Sequence, residues 1–165
     1  MEIDLGTIII GIVFILICIT PFIIMHINKI RKNNKMLHLL AENAEKNNCK
    51  ISQYEFSGDF VLGKDNEKDF IFFLKQNSSE TTFQSVDLNE IQACKVAEKA
   101  RSVKNNKDST SIIEKLELCF IPKNKDKGET KFELFNELNN VQLTGELQLA
   151  DKWSKQINTS LRSKK

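Results

Sequence analysis

The sequence predicts an N-terminal membrane helix and a helical stalk, followed by a mainly β domain in which about seven antiparallel strands form a barrel capped by a C-terminal helix. Three observations predict this architecture. An uncharged apolar run covers residues 5–25, and short apolar segments separated by turn residues follow residue 49. An amphipathic pattern of helical period then covers residues 145–161.

The apolar run over residues 5–25 fits one membrane crossing. It reads LGTIIIGIVFILICITPFIIM, and at about 1.5 Å per residue it spans roughly the 30 Å hydrocarbon core of a bilayer. A cleaved signal peptide is the competing interpretation, and it requires a basic start, a shorter apolar run and a small-residue cleavage site. The start instead carries Glu2 and Asp4, and the run ends in bulky residues. We therefore expect an uncleaved anchor.

Basic residues directly after the run predict its orientation. Positive flanks stay on the cytoplasmic side, so we expect residues 1–4 as a short outside tail and the rest of the chain in the cytosol, at the cell (inner) membrane. Because Glu2 and Asp4 are the only charges before the flank, the cytosolic part has 24 basic against 20 acidic residues, a net charge of +4. This balance is too weakly basic to indicate a nucleic-acid partner. The positive-inside flank consists of Lys29, Arg31, Lys32 and Lys35.

Residues 26–49 are expected to continue the helix as a basic stalk. Apolar residues from Ile30 to Ala44 recur at helical spacing, with no Pro or Gly between them. Ile30, Leu37 and Ala44 lie seven residues apart, which would also suit a short coiled coil, but an Asn occupies the intervening seam position. A stalk helix that packs on its own domain is the preferred interpretation.

Residues 50–165 are expected to form one domain, in which the hydrophobic period changes from that of a helix to that of a strand. Turn formers such as Ser57-Gly58 separate the apolar segments. Nine of the eleven Phe residues lie between Phe56 and Phe135 and are expected to fill the barrel interior. The strands are predicted near residues 51–56, 59–63, 69–76, 81–88, 91–98, 111–121 and 130–137.

A C-terminal helix is predicted over residues 145–161, with Thr144 as its N-cap. A single amphipathic helix after a series of strands needs an apolar surface to cover, and the open end of a barrel would provide one. The apolar stripe of this helix consists of Leu147, Ala150, Trp153, Ile157 and Leu161.

The order of these elements carries a family resemblance. Seven strands followed by a helix with Trp153, in the segment ELQLADKWSKQI, resemble the pleckstrin-homology-like superfold and its capping helix. The chain is also similar to uncharacterised bacterial single-pass membrane proteins with such a cytosolic domain, on KFELFNE followed by VQLTGELQLADKWSKQIN. The resemblance covers most of residues 50–162 and implies a fold, not an activity. Members that bind inositol lipids carry several basic residues around the first hairpin, where this chain has only Lys64.

The residue types needed for catalysis or metal binding are scarce in the predicted domain. The two histidines, His26 and His38, precede it, so it contains no Ser-His or Cys-His pair. The cysteines are scattered without a CxxC pair, which argues against zinc, and Cys94 and Cys119 are expected to act as small apolar residues in strands. No glycine-rich phosphate-binding motif is present. We expect no enzyme activity, no cofactor, no metal and no small-molecule substrate.

One basic segment, between the fifth and sixth predicted strands, is the candidate contact site. Its functional interpretation is a patch that contacts anionic lipid head groups, at about 1 kcal/mol for each cation near the surface. The competing interpretation is a solvated hairpin end. The candidate lipid or partner contacts are Lys95, Lys99, Arg101 and Lys104.

The sequence therefore leads to two functional expectations. The first is a membrane-tethered, non-catalytic interaction or scaffold module on the cytoplasmic face, which binds a protein partner or its own copy. The alternative is a sensor of anionic lipid surfaces that uses the basic hairpin. A small-molecule carrier is a weaker third possibility, because the many Phe side chains should fill the barrel interior.

Overall fold

The computed structural model describes residues 5–77, 80–105, 108–139 and 142–163, with the backbone alone at 5–11, 103–105 and 108–110. The expected outside tail, residues 1–4, lies outside the described residues. The chain divides into two compact units, Met1–His38 and Leu39–Lys165. Each unit is described by itself below.

One long helix, α1, begins at Leu5 and ends at Lys46, so it includes both the predicted membrane span and most of the predicted stalk. In the described part of the chain, it is the one helix long and apolar enough to cross a membrane. Its large apolar side chains between Ile12 and Ile27 are exposed. This is the pattern of a helix whose apolar surface no protein core covers.

The end of α1 is a Schellman motif centred on Asn48. Asn48 has a φ of 54°, a left-handed conformation that Asn tolerates better than most residues with a side chain. Its N–H donates to the carbonyl of Glu45 over 2.8 Å, and the N–H of Cys49 donates to the carbonyl of Ala44 over 3.0 Å. Ala44 and Cys49 are both buried, as is usual for the two positions whose apolar contact accompanies this motif. The helix therefore ends at Lys46, before residue 49.

Seven antiparallel strands form two sheets, with the number and direction that the sequence predicts. The first four strands form a four-stranded sheet in the order β1-β2-β3-β4, and the last three form a three-stranded sheet in the order β5-β6-β7. A short 3-10 helix, Leu88–Glu90, separates the two sheets in the chain. The strands are β1 (Gln53–Ser57), β2 (Phe60–Asp65), β3 (Phe70–Gln76), β4 (Thr81–Asp87), β5 (Ile91–Asn105), β6 (Asp108–Pro122) and β7 (Thr130–Asn136).

The predicted barrel does not close, because its seven strands form two separate sheets. Among the described residues no ladder joins β4 to β5 or β1 to β7. The sheets instead share one hydrophobic core, in which Phe73 of β3 stacks on Phe132 of β7 with ring centroids 5.0 Å apart. The alternation of apolar and polar residues looks the same in both arrangements, so it could not show whether the sheets close.

The two inner strands of the four-stranded sheet, β2 and β3, are buried on both faces, whereas β1 and β4 keep exposed positions. Phe60 and Phe73 point into the shared core, but Phe72 is fully buried outside it and stacks with Phe70 and Phe83. The expectation that all nine Phe side chains fill one interior is therefore wrong. Continuous apolar runs such as those in β2 and β3 are typical of strands with two buried faces.

The last turns of α1 cover part of the second face. Leu40 and Ala44 are fully buried, and a Cβ atom added to Gly63 of β2 would lie 2.7 Å from Leu40 Cδ2. Gly63 pairs with Phe72 of β3, so both residues belong to the face that Leu40 contacts. Gly63 thus allows the helix to approach the strand closely.

The C-terminal helix, α2, runs from Glu146 to Arg162 and packs on the shared core through Leu149, Ala150, Trp153 and Ile157. The predicted N-cap at Thr144 is wrong. The N-cap is Gly145, with a φ of 133° and no side-chain hydrogen bond. Because this glycine turns the chain directly before the helix, Thr144 lies one residue too early to cap it. Its N–H and hydroxyl instead donate to the Glu146 carboxylate over 2.6 and 2.9 Å.

Candidate interaction surface

A long hairpin formed by β5 and β6 extends beyond the three-stranded sheet. Each of its strands has 15 residues. β5 pairs with β6 as far as Asn105 and Asp108, whereas β7 pairs with β6 only from Lys115 to Phe120. Residues 100–105 and 108–113 therefore have no third strand among the described residues. We call these two segments the hairpin arm.

The predicted contact residues lie along β5. Lys95, Lys99 and Arg101 occupy alternate positions of the strand, so they share one face of the hairpin. All three are exposed. Lys104 lies on the hairpin arm, and its side chain is outside the described part of the structure. The strand therefore brings three of the four predicted residues to one face, whereas Lys104 occupies a position of the opposite parity.

Carboxylates neutralise two of these cations. Lys99 Nζ lies 3.4 Å from Glu114 Oε2, and Arg101 Nη2 lies 2.6 Å from Glu137 Oε1. Arg101 Nε is also 4.0 Å from Glu114 Oε1. Exposed pairs of this kind add only about 0–1 kcal/mol each to stability. Their effect on the electrostatic potential of the surface is larger. Two carboxylates beside two cations cancel much of the positive potential that would attract anionic lipid.

A β-bulge brings Glu114 to these cations. Lys99 pairs with Lys115 but the next residue, Ala100, pairs with Ile113, so Glu114 is an extra residue on β6. A bulge of this type re-aims the side chains around it. The alternating residue pattern shows no sign of this shift, so the sequence alone does not place Glu114 beside the cations.

The residues of the positive-inside flank lie on α1, in the first unit. Lys29, Arg31, Lys32 and Lys35 are all exposed. The ion pairs of the described residues include Lys99 and Arg101 but none of these four side chains. Their placement is that of solvated cations on a helix surface.

Two exposed apolar side chains lie beside the root of the hairpin arm. Glu137 donates its N–H to the carbonyl of Glu114 over 2.8 Å, and the chain then leaves β6. The next residue, Leu138, is 91% exposed, and Ile112 of β6 is 37% exposed. Neither exposure follows from the sequence, because Leu138 lies among polar residues and Ile112 lies in an apolar strand segment.

A buried ion pair links the two sheets behind this surface. Lys75 of β3 is 4% exposed, and its Nζ lies 3.4 Å from Glu133 Oε1 and donates to the Glu133 carbonyl. Burial alone would raise the pKa of Glu133, but hydrogen bonds from Lys115 and Asn136 and the charge of Lys75 lower it overall. Glu133 is therefore ionised at neutral pH. These contacts fix the arrangement of β3, β6 and β7.

Burial controls the reactivity of Cys94, a thiol of β5. Burial raises the pKa of the Cys94 thiol to about 12, so almost none of the nucleophilic thiolate is present at neutral pH. No group of three or more His, Cys, Asp or Glu side chains in the described ranges is placed to hold a metal ion. The surface of the described residues presents strand edges, ion pairs and exposed apolar side chains, which are features of contact surfaces.

No protein-family model matches the chain, and neither the curated proteins nor the solved structures compared with it gave a match. What the surface can do therefore follows from its own geometry. The hairpin arm offers backbone groups along β6, beside Ile112 and Leu138.

Proposed function

We propose that the chain is a membrane-tethered, non-catalytic interaction module that binds proteins by strand addition to the hairpin arm. One observation carries this proposal. β6 stays extended over residues 108–113, where in the described structure it has a neighbour only on the β5 side. The N–H and C=O groups of such an edge can pair with an added strand.

The composition of the edge supports this function. Exposed edges in natural proteins are often blunted by Lys or Pro, and the β5 side of the hairpin arm carries Arg101 and Lys104. The β6 side reads Ser-Thr-Ser-Ile-Ile over residues 109–113, with no charge and no Pro. This side suits pairing, and the exposed Ile112 and Leu138 provide apolar contacts next to it.

The membrane helix would concentrate this surface. An anchor over residues 5–25, with Lys29, Arg31, Lys32 and Lys35 on the cytoplasmic side, holds the domain at the inner face of the cell membrane and the N-terminus outside. Confinement raises the effective concentration of partners bound to the same membrane. At this raised concentration, a weak strand-addition contact is sufficient for the partner to remain bound for much of the time.

The element order supports the pleckstrin-homology-like assignment as part of this proposal. Seven antiparallel strands precede α2, and Trp153 of that helix is fully buried against both sheets. The alternative function, a lipid-surface sensor using Lys95, Lys99, Arg101 and Lys104, has less support because Glu114 and Glu137 face two of the four cations.

Photo-crosslinking of the full chain in membranes tests the proposal. A photoreactive amino acid at Leu138 should give one defined adduct, with a second copy or with another protein. The same group at Glu67, an exposed turn residue, should not give that adduct. Ile112→Lys should abolish the adduct at position 138 by placing a charge on the edge, whereas Ile112→Val should retain it. An adduct that survives Ile112→Lys, or that forms equally from position 67, would contradict use of the edge.

A further inference from the structure

A cavity of about 690 Å³ opens in the second unit at the end where β5 begins. Its walls come from the 3-10 helix, the start of β5, the loop after β6 and the last turn of α2. Small-molecule sites in proteins have volumes of about 300–1,000 Å³. The cavity is distant along β5 from the tip of the hairpin arm, so its occupant would not compete with strand addition there.

The base of the cavity is apolar and held in place by the core. Leu88 and Ile91 are 2% and 6% exposed and belong to the shared hydrophobic core. Leu161, on the last turn of α2, is partly buried against the same core. Because these three side chains come from different elements that the core fixes, the apolar base is formed before any ligand arrives.

The rim of the cavity is cationic. Lys123 and Lys125, in the loop after β6, both line it, and no carboxylate is among the described lining residues. Lys123 Nζ donates to the Asn89 carbonyl over 2.7 Å, and the Lys123 N–H donates to the Glu90 carbonyl over 2.8 Å. This leaves the ammonium group fixed near the opening with further N–H donors for a ligand.

Glu90, an acidic residue between the lining residues Asn89 and Ile91, is paired with a lysine outside the lining. Glu90 Oε2 lies 2.8 Å from Lys127 Nζ, so Lys127 rather than a rim lysine balances its charge. Two cations therefore flank an apolar base with no acidic group of the described lining to oppose an anion. This arrangement is complementary to a molecule with a negative head and an apolar body.

We propose that this cavity binds a small anionic amphiphile, with a carboxylate or phosphate head between Lys123 and Lys125 and a single acyl chain over Leu88, Ile91 and Leu161. The described lining contains no aromatic ring on which a nucleobase could stack. A purely polar anion would leave the apolar base without a contact, and an uncharged lipid would leave both ammonium groups without a counter-charge. The site is independent of the hairpin arm.

Calorimetric titration of the full chain in nanodiscs of uncharged lipid tests this site, with empty discs as the blank. Octyl phosphate and octanoate should bind at least tenfold more tightly than inorganic phosphate, which has no chain, and than octyl glucoside, which has no charge. If octyl phosphate binds no better than inorganic phosphate, the apolar base is not used and the proposal is wrong.

Variants of the rim and the base complete the test. Lys123→Ala with Lys125→Ala should weaken octyl phosphate binding about tenfold or more, whereas the charge-matched pair Lys131→Ala with Lys155→Ala, outside the cavity, should leave it unchanged. Leu161→Phe should also weaken binding by filling the space, with thermal unfolding used to confirm that the variant is folded. Equal affinity in wild type and the rim variant would overturn the proposal.

The source of the amphiphile can be distinguished in the same system. If a bilayer lipid occupies the site, nanodiscs containing phosphatidylglycerol should lower the apparent affinity for octyl phosphate, and the rim variant should remove this competition. If the natural ligand is a free amphiphile, the disc lipid should make no difference. Both results retain the site, whereas competition that survives the rim substitutions would contradict it.

Discussion

The indole of Trp153, which is fully buried, donates a hydrogen bond from Nε1 to Oε2 of Glu55 over 3.1 Å. Lys152 Nζ contacts the same oxygen over 2.8 Å. Glu55 lies in the middle of β1, one of the two edge strands of the four-stranded sheet. One carboxylate therefore joins this edge strand to the single aromatic residue of α2.

The contact belongs to a row of polar contacts along β1. Gln53 exchanges amide hydrogen bonds with Gln156 of α2, and the hydroxyl of Ser57 donates to Glu146 Oε1 over 3.2 Å. These residues and Glu55 occupy alternate positions, so one face of β1 is held to α2 by hydrogen bonds. This explains why β1 is more polar than β2 and β3.

Glu55→Ala should lower the free energy of unfolding by about 1–3 kcal/mol, because it leaves the buried Trp153 N–H without an acceptor. Glu55→Gln keeps a carbonyl oxygen at the same place and should lower it less. Lys152→Ala should have an effect below about 1 kcal/mol, since its side chain is largely exposed. Urea unfolding of the full chain in uncharged detergent would measure these changes. Equal losses of unfolding free energy in Glu55→Ala and Glu55→Gln would contradict a role for Glu55 as the acceptor of the Trp153 N–H.

Gly63→Ala should be destabilised by about 1–3 kcal/mol, because the added methyl group would lie 2.7 Å from the fully buried Leu40 Cδ2. The same substitution in a Leu40→Ala background should cost less, since the closest contact is gone and only the Ile51 side chain, 3.2 Å from the added Cβ, remains. A double-mutant cycle of unfolding free energies gives the coupling. An unchanged cost in the two backgrounds would show that α1 does not lie against β2.

The acid sensitivity of the fold should depend on Glu146. Burial would raise the pKa of Glu146, but hydrogen bonds from Thr144 and Ser57 lower it below its usual value. The stabilising contribution of this carboxylate is therefore present above about pH 4.3, the usual Glu pKa, and is lost as the pH falls through the lower folded-state value.

Glu146→Gln should remove this contribution. Its stability at pH 7 should be lower than that of the wild type, and the difference should shrink as the pH falls below about 4. Glu129→Gln, at an exposed position, is the control and should follow the wild type. Thermal unfolding across this pH range would reveal the difference, and parallel curves for wild type and Glu146→Gln would rule out a lowered Glu146 pKa.

Removal of the carboxylates beside the basic residues should uncover a lipid-binding surface that the wild type keeps neutralised. Glu114→Gln with Glu137→Gln leaves Lys99 and Arg101 without their acidic partners. We expect this variant, in uncharged nanodiscs, to bind anionic vesicles several-fold more tightly than wild type at low salt and to lose the gain at high salt. Glu67→Gln with Glu129→Gln matches the charge change elsewhere. If the control pair gives the same gain, net charge rather than these ion pairs is responsible.

Local pattern predicted much of the fold. Turn residues and apolar segments were enough to place seven strands and to find α2 with Trp153 on its buried side, because both signals reside in short stretches of sequence. The relation between the sheets was not predictable in this way. Whether β4 pairs with β5 depends on how the 3-10 helix after Asp87 directs the chain, which residue periodicity does not encode.

The candidate sites were less predictable than the fold. Lys99 and Arg101 looked like free cations because the bulge that turns Glu114 toward them leaves no mark in the alternating pattern. Lys123 and Lys125 looked like ordinary turn residues, since Leu161, which lines the same cavity, is distant in sequence. Both cases depend on contacts between segments, and a single sequence records only the residues that each segment contributes.

The burial of Leu40 and Ala44 has a consequence for where the chain can be cut without loss of the folded domain. A protease that cuts before Leu39 leaves all residues of the second unit in the released fragment. A cut only a few residues later removes Leu40 from Gly63 and opens the apolar face that contains Phe72. A cut that keeps the domain intact and a cut that destabilises it are thus separated by about one helical turn, and any fragment that keeps this fold has to retain the end of α1.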